Sequence, residues 1–188
     1  MSSSSVELPD DAELVGLARA GDRLAFAQLL DRHGREVYRL AFRLTHDQEL
    51  AADVAQETWI RVWRGLSSFR GEAAFSTWLY RIAVNTAATA RRRHARHPQA
   101  ALTEITEPED HANPQPEGRV DQLELRHRLG QALSQLPPGL RTVVVMKDVY
   151  GWSHSEISAA LDISVTAAKV RLHRAHQRLQ RYLHEESE

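Results

Sequence analysis

The chain contains no cysteine, which excludes disulfides, thiolate metal centres and thiol redox chemistry within it. No apolar run approaches the roughly 20 residues that cross a bilayer. The opening Met1-Ser2-Ser3-Ser4-Ser5 has neither the basic nor the apolar region of a secretory signal. No membrane insertion and a cytoplasmic location are therefore expected. Charge of one sign is also missing, since 24 Lys and Arg stand against 25 Asp and Glu for a net charge of -1. That balance excludes a protein that coats nucleic acid through uniform positive charge, so any such affinity must come from local segregation. There is no phosphate-cradling glycine loop and no nucleophile motif. Two histidine pairs, His94 with His97 and His173 with His176, lack a third ligand at useful spacing. The expectation is a protein without catalytic residues, metal or cofactor, with a histidine-dependent metalloenzyme as an alternative. What is present is ordinary for a globular protein: 188 residues, 42% hydrophobic and 26% charged, enough for one domain or two small ones.

Apolar residues recur at helical spacing through most of the chain and no strand finds a partner, so the expected fold is all-α. Residues 1–10 are polar and expected to be disordered. A short helix from Asp11 stops at Gly21, and Asp22 opens a longer one with Phe26, Leu29, Leu30, His33, Val37, Leu40, Ala41 and Leu44 inside. His33 on that face reads as a buried, hydrogen-bonded histidine rather than a ligand. In the next helix Ala51, Val54, Ala55, Thr58, Val62 and Leu66 form the inner stripe. Asp53, Gln56, Glu57, Ile60, Trp63 and Arg64 share the other side. Apolar anchors inside a polar rim suit a protein interface, but Trp63 could equally tuck into the core, and the residues alone leave both readings open.

A loop, SSFRGEAA at 67–74, leads to a helix from Phe75 with Phe75, Trp78, Leu79, Ile82, Ala83, Thr86, Ala87 and Ala90 inside. Trp78, Arg81, Asn85 and Arg92 line one edge. Arg91, Arg92, Arg93, His94, Arg96 and His97 close it more densely than the helix dipole requires, which points to phosphate contact. Aromatic and amide side chains beside cations suit single-stranded bases. Residues 98–124 then turn proline-rich and acidic, a linker whose charge opposes that of the basic segments beside it. A second domain, 125–188, follows the first, 11–97. It begins with Leu125, Leu129, Leu133 and Leu136 on one helix face. The run LRTVVVMKDVY fits a strand or a helix, and helix is chosen for want of a pairing strand.

The stretch from Trp152 to Leu183 carries the most specific pattern. Ser153 with Glu156 is a capping box, Ile157, Ala160 and Leu161 face inward, Asp162 and Ile163 turn the chain, and Ser164 caps the next helix. There Val165, Ala168, Leu172, Ala175, Leu179 and Leu183 make an apolar stripe. Opposite lie Thr166, Val170, His173, Arg174, Gln177 and Arg181, flanked by Lys169 and Arg171. Charge alone would make this a solvated basic helix. The capped helix and short turn before it make a helix-turn-helix, whose second helix can reach base edges while its cations meet phosphates.

The segments ADVAQETWIRVWR at 52–64, FRGEAAFSTWLYRIAVN at 69–85, the arginine cluster, and LPPGLRTVVVMKDVYGWSHSEISAALDIS at 136–164 together resemble a bacterial RNA polymerase sigma factor of the extracytoplasmic-function type, in the sigma-70 family. The resemblance spans Asp11 to Leu183. It implies two helical domains, a region 2-like bundle and a region 4-like helix-turn-helix, that direct promoter recognition, melting and initiation. Asp53, Gln56, Glu57, Ile60 and Trp63 would meet a coiled coil of the polymerase's largest subunit, and the second domain the flap of the second-largest. Phe69, Arg70, Gly71, Trp78, Arg81, Asn85 and Arg92 would hold the minus 10 element. Thr166, Lys169, Val170, Arg171, His173 and Arg174 would read the minus 35 element. An anti-sigma factor is a further implied partner. Thr166-Ala167-Ala168 and Val170 depart from the family's usual Gly-Thr-Val and polar residue, and Thr89 replaces its usual aspartate, so the preferred promoter sequence is not carried over. A stand-alone helix-turn-helix regulator is the alternative in the same class.

Overall fold

The computed structural model describes residues 9–96 and 119–185, and every regular element among them is helical. The expected disordered segment lies outside the described residues up to residue 8, as does the expected linker up to residue 118. The first half comprises α1 (Asp11–Arg19), α2 (Arg23–Thr45), α3 (Gln48–Gly65) and α4 (Phe75–Arg96). The second comprises α5 (Arg119–Gln135), α6 (Pro138–Val144), α7 (His154–Leu161) and α8 (Val165–Glu185).

Short polar side chains set the helix starts. Asp10 and Glu13 form a capping box at α1, and Asp22 accepts from the amides of Leu24 and Ala25 at the head of α2. Asp47 accepts from the Leu50 amide at 2.9 Å and opens α3. These carboxylates satisfy donors left free in the first turn and oppose the positive end of the helix dipole. α2 ends at His46, whose φ of 54° lies in the left-handed region. One residue reverses the chain there, so α2 and α3 form a tight hairpin.

α2, α3 and α4 pack on one another with α1 across α2. The inner stripe read for α3 is buried apart from Ala55, which is half-buried. Leu30 departs from its expected place and is 44% exposed. Leu29 beside it is fully buried, so the apolar face of α2 is narrower here than at Leu40, Ala41 and Phe42, which are all buried. His33 is largely buried and its Nε2 shares a 2.7 Å hydrogen bond with Asp11, as expected.

α5 begins at Arg119, six residues before the expected start of the second domain. No proline follows Pro116 before that helix, so nothing prevents it from extending ahead of its leucine face. The ambiguous valine run is helical: α6 runs into a π turn, Val145–Val149. Val143, Val144, Val145 and Met146 are all buried, and burial on every side produces the strand-like composition without a strand. Gly151, at φ 69°, ends the turn.

The two halves touch. Arg141, only 7% exposed, donates from Nη1 to the Leu44 carbonyl of α2 at 3.2 Å and from Nη2 to the carbonyls of Ser134 and Leu136. Arg91 of α4 donates to the same Leu44 carbonyl at 3.3 Å. Tyr150 donates its hydroxyl to Glu36 of α2 at 2.7 Å and accepts from Arg43 at 3.3 Å. Its ring stands edge-on to Tyr80 of α4, centroids 5.2 Å apart.

His46 lies at this seam with both ring nitrogens buried and unpartnered. Burial, and then the nearby Arg141 charge, lower its pKa to about 4. The unfolded chain takes up this proton near pH 6.5 and the folded chain only near 4, so stability falls as pH drops between those values. The loss is on the order of 2 kcal/mol once remaining solvent contact is discounted. Urea unfolding of wild type and His46→Asn at pH 7 and pH 4.5 checks this. Asn tolerates the left-handed backbone and does not titrate, so the variant is expected to lose less stability on acidification.

Candidate protein and nucleic-acid interfaces

Three surfaces hold the residues singled out in the sequence. On α3, Asp53 and Gln56 are exposed, Glu57 half-exposed, and Ile60 and Trp63 39% and 41% exposed. Arg61 donates to Glu57 at 2.7 Å one helical turn on, and that bond holds the carboxyl below its usual range. Trp63 is partly packed and partly exposed. Phe26 of α2 meets its ring at 4.8 Å between centroids, while much of the indole stays in water. The α3 tryptophan in the core is Trp59, also edge-on to Phe26. It was not singled out because its position falls between the two faces.

The same surface extends where the sequence did not place it. A groove of about 460 Å³ between α3 and α4 brings Arg93 and His94 beside Asp53, Glu57 and Ile60. The arginine cluster is therefore divided by the turn of α4. Arg91 points inward to the Leu44 carbonyl, Arg93 faces the acidic side of α3, and Arg92 and Arg96 are exposed. Only part of the cluster is placed for phosphate contact; His97 lies outside the described residues.

The second surface surrounds an aromatic group. Phe69 lies 4.9 Å from Trp78 and 6.1 Å from Phe75, and Phe75 6.0 Å from Trp78, centroid to centroid. Phe75 is buried, whereas Phe69 and Trp78 keep part of their faces in solvent. The backbone at Gly65 runs beside Trp78, whose ring a Cβ there would meet at 3.4 Å, a van der Waals contact. Gly71, at φ 72°, turns the loop in a conformation that other residues rarely adopt. Arg70 is almost fully exposed, and Arg81, Asn85 and Arg92 are exposed along α4. This gives ring faces, an amide and cations along one helix edge and the loop before it.

The third surface is the helix-turn-helix. Ser153 and Glu156 form the expected capping box, and the Ser153 bonds hold Glu156 below its usual pKa. Asp162 makes the turn at φ 52°, and Ser164 accepts from the Ala167 amide at 3.0 Å to start α8. Ala168 and Ala175 are fully buried, so α8 approaches its neighbours closely. Val165, at the start of the stripe, is instead exposed, because the first turn of α8 projects past the packed core. Thr166, Lys169, His173 and Arg174 are exposed, Arg171 is half-buried, and Val170 is 43% exposed. His176 is engaged, its Nε2 sharing a 2.7 Å bond with Asp148. No group of three histidine or carboxylate side chains among the described residues could hold a metal.

Family models described as Sigma-70 region 2 and Sigma-70, region 4 match residues 29–97 and 126–179. The RNA polymerase sigma-H factor of Pseudomonas aeruginosa is 33% identical over 180 residues, covering 92% of this chain and 93% of that protein. This chain belongs to the extracytoplasmic-function sigma factors. The factor SigM of Mycobacterium tuberculosis is 38% identical, covering 92% of this chain and 84% of its own. The solved structure of CnrH in complex with the cytosolic domain of CnrY matches 93% of this chain and 97% of that one, at 28% identity and a TM-score of 0.65. As a sigma factor the protein acts with RNA polymerase at promoters in transcription initiation, and it is not an enzyme. No helix among the described residues is long and apolar enough to cross a membrane.

The capping box at α7 orients the turn, so its loss should be measurable. Ser153→Ala is expected to lower stability by about 1 kcal/mol, read as a reduced urea midpoint at unchanged slope.

Proposed function

We propose that this sigma factor places polymerase by a two-point hold on promoter DNA, one point in each half of the chain. The observation that carries this is the separation of the exposed DNA-type surfaces. The aromatic and cationic edge of α4 with its preceding loop lies in the first half, and the α8 face lies in the second. Each is modest, and joining two modest sites raises the effective concentration for the second contact.

Asp53, Gln56, Glu57, Ile60 and Trp63 form the surface for the largest subunit's coiled coil, with the half-exposed Trp63 as its anchor. Arg93 and His94 extend it across the groove. The second half, from α5 onward, meets the flap of the second-largest subunit. Phe69, Arg70, Gly71, Trp78, Arg81, Asn85 and Arg92 hold the minus 10 strand. Extracting a base costs a few kcal/mol, which stacking on partly exposed rings such as Phe69 and Trp78 offsets. At the minus 35 element Lys169, Arg171 and Arg174 supply phosphate affinity, while Thr166, Val170 and His173 read bases. An apolar Val170 in that position suits a thymine methyl. The domains are taken as 11–97 and a second that begins with α5, and the factor acts in the cytoplasm. A small anti-sigma protein is its regulator, a reading supported by the likeness to CnrH bound to CnrY.

Reconstitution with core polymerase and genomic promoter fragments tests the main reading. Promoter-specific initiation is expected, and none from any fragment would overturn it. Purified factor that bound duplex tightly without polymerase would instead favour a stand-alone regulator. Asn85→Ala should reduce open-complex formation about tenfold, read by permanganate footprinting, with core binding unchanged. Arg174→Ala should weaken upstream binding on every sequence and lower the salt dependence by about one counterion. Val170→Ala should alter base preference at one position with little change in salt dependence.

A further inference from the structure

Helix α1 carries none of the residues assigned above to polymerase or DNA. It nevertheless touches both the short turn Leu66–Ser68 and α4, which hold the aromatic loop between them. With nine residues α1 is too short to persist as an isolated helix, so what it packs on sets its position. Leu14, Val15 and Ala18 bury its apolar side. Asp11 supplies a polar tie to α2, where Oδ1 accepts from Arg32 at 2.7 Å and Oδ2 shares a 2.7 Å bond with His33 Nε2.

His33 is the point at which that tie meets the aromatic group. Its side chain is only 13% exposed, and its ring stands edge-on to Phe75, centroids 5.6 Å apart and planes at 62°. Phe75, itself buried, contacts both Phe69 and Trp78. The rings thus form a series that starts at an imidazole fixed by a carboxylate and ends at two half-buried rings on the surface.

An edge-on contact depends on the angle of the ring about its last side-chain bond, and that torsion is soft when nothing holds it. The Asp11 bond holds it. A ring that receives a base gains most when it is ordered beforehand, because ordering on arrival subtracts from the stacking free energy. Fastening α1 does not by itself call for the histidine. Arg32 already grips the start of the helix, donating to Asp11 and to the Pro9 carbonyl at 2.9 Å. The His33 bond is a second tie to the same carboxylate, and what it fixes besides is the orientation of a ring.

We propose that His33 is a positioning residue for capture of the promoter strand. Bonded to Asp11, it seats Phe75, and through Phe75 it holds Phe69 and Trp78 ready for a base of the minus 10 strand. His33 acts only through these rings. The proposal rests on the reading of that surface as the minus 10 site.

The test uses holoenzyme reconstituted from core polymerase and the full-length chain. The probe is a fluorescent single-stranded oligonucleotide carrying the minus 10 region of a promoter active in reconstitution. His33→Ala should weaken its binding about three- to tenfold, part of the worth of one stacked base, with core affinity unchanged. His33→Phe, which keeps a ring edge against Phe75, should recover most of that loss. Asp11→Ala, which touches none of the three rings, should still weaken strand binding about twofold. Arg32→Ala, which spares the His33 bond, should leave it unchanged. Should thermal unfolding reveal a folding defect in His33→Ala, Asp11→Ala decides in its place. Unchanged strand binding in a folded His33→Ala or in Asp11→Ala, an equal loss of core affinity, no recovery in His33→Phe, or the same loss in Arg32→Ala would each overturn the proposal. Phe69→Ala and Trp78→Ala separate it from the reading beneath. If neither weakens strand binding, the minus 10 reading of this surface falls and the proposal with it; if either does while the His33 and Asp11 variants do not, the positioning role alone is lost.

Discussion

The carbonyl end of α2 is the constraint around which the described structure is arranged. Helix ends leave acceptors without intrahelical partners, and at Leu44 two guanidinium groups satisfy the same oxygen, Arg91 from α4 and Arg141 from α6. Two like charges converge there. Burial and the mutual repulsion lower the Arg141 pKa to about 10, which leaves it charged at neutral pH. The negative end of the α2 dipole offsets that repulsion. A single turn of backbone thus joins the bundle's internal packing to the seat of the second half.

Much of the fold was legible because its signals are local. The helix starts at Asp22 and Ser153 follow from a short acceptor before an apolar period, and both cap as their positions suggest; Asp10 and Asp47 cap in the same way. The inner stripes follow from the 3.6-residue period. The exceptions have geometric causes. Leu30 lies outside the narrow apolar face at Leu29, Leu129 of the expected leucine face on α5 is 43% exposed, Val165 precedes the packed part of α8, and Trp59 lies between faces that periodicity treats as separate.

The surfaces were less legible than the elements. Spacing along α4 grouped Arg91, Arg92 and Arg93 as one basic cluster, but successive residues diverge by about 100°. One is turned into the seam, one into solvent and one onto the acidic side of α3. The groove shared by α3 and α4 could not be read from either helix alone. The contacts of Tyr150 with Glu36 and of Arg141 with Leu44 join residues about a hundred positions apart. Nothing in local pattern encodes such pairs. Chemistry on one helix face can be inferred from spacing, whereas chemistry assembled between helices needs coordinates.

The π turn at Val145–Val149 bears on how such a contact could arise in a lineage. A π turn accommodates one residue more than the α-helix it interrupts, and a single inserted residue rotates everything after it by about 100°. Tyr150 immediately follows the turn, so one codon gained or lost there decides whether its hydroxyl points at Glu36 or away from it. Trp152, Ile157 and Ala160 are buried beyond that position, so their packing has to absorb any such change. The seat of Tyr150 on Glu36 is thus tied, through the length of that turn, to the orientation of α7 and α8 behind it.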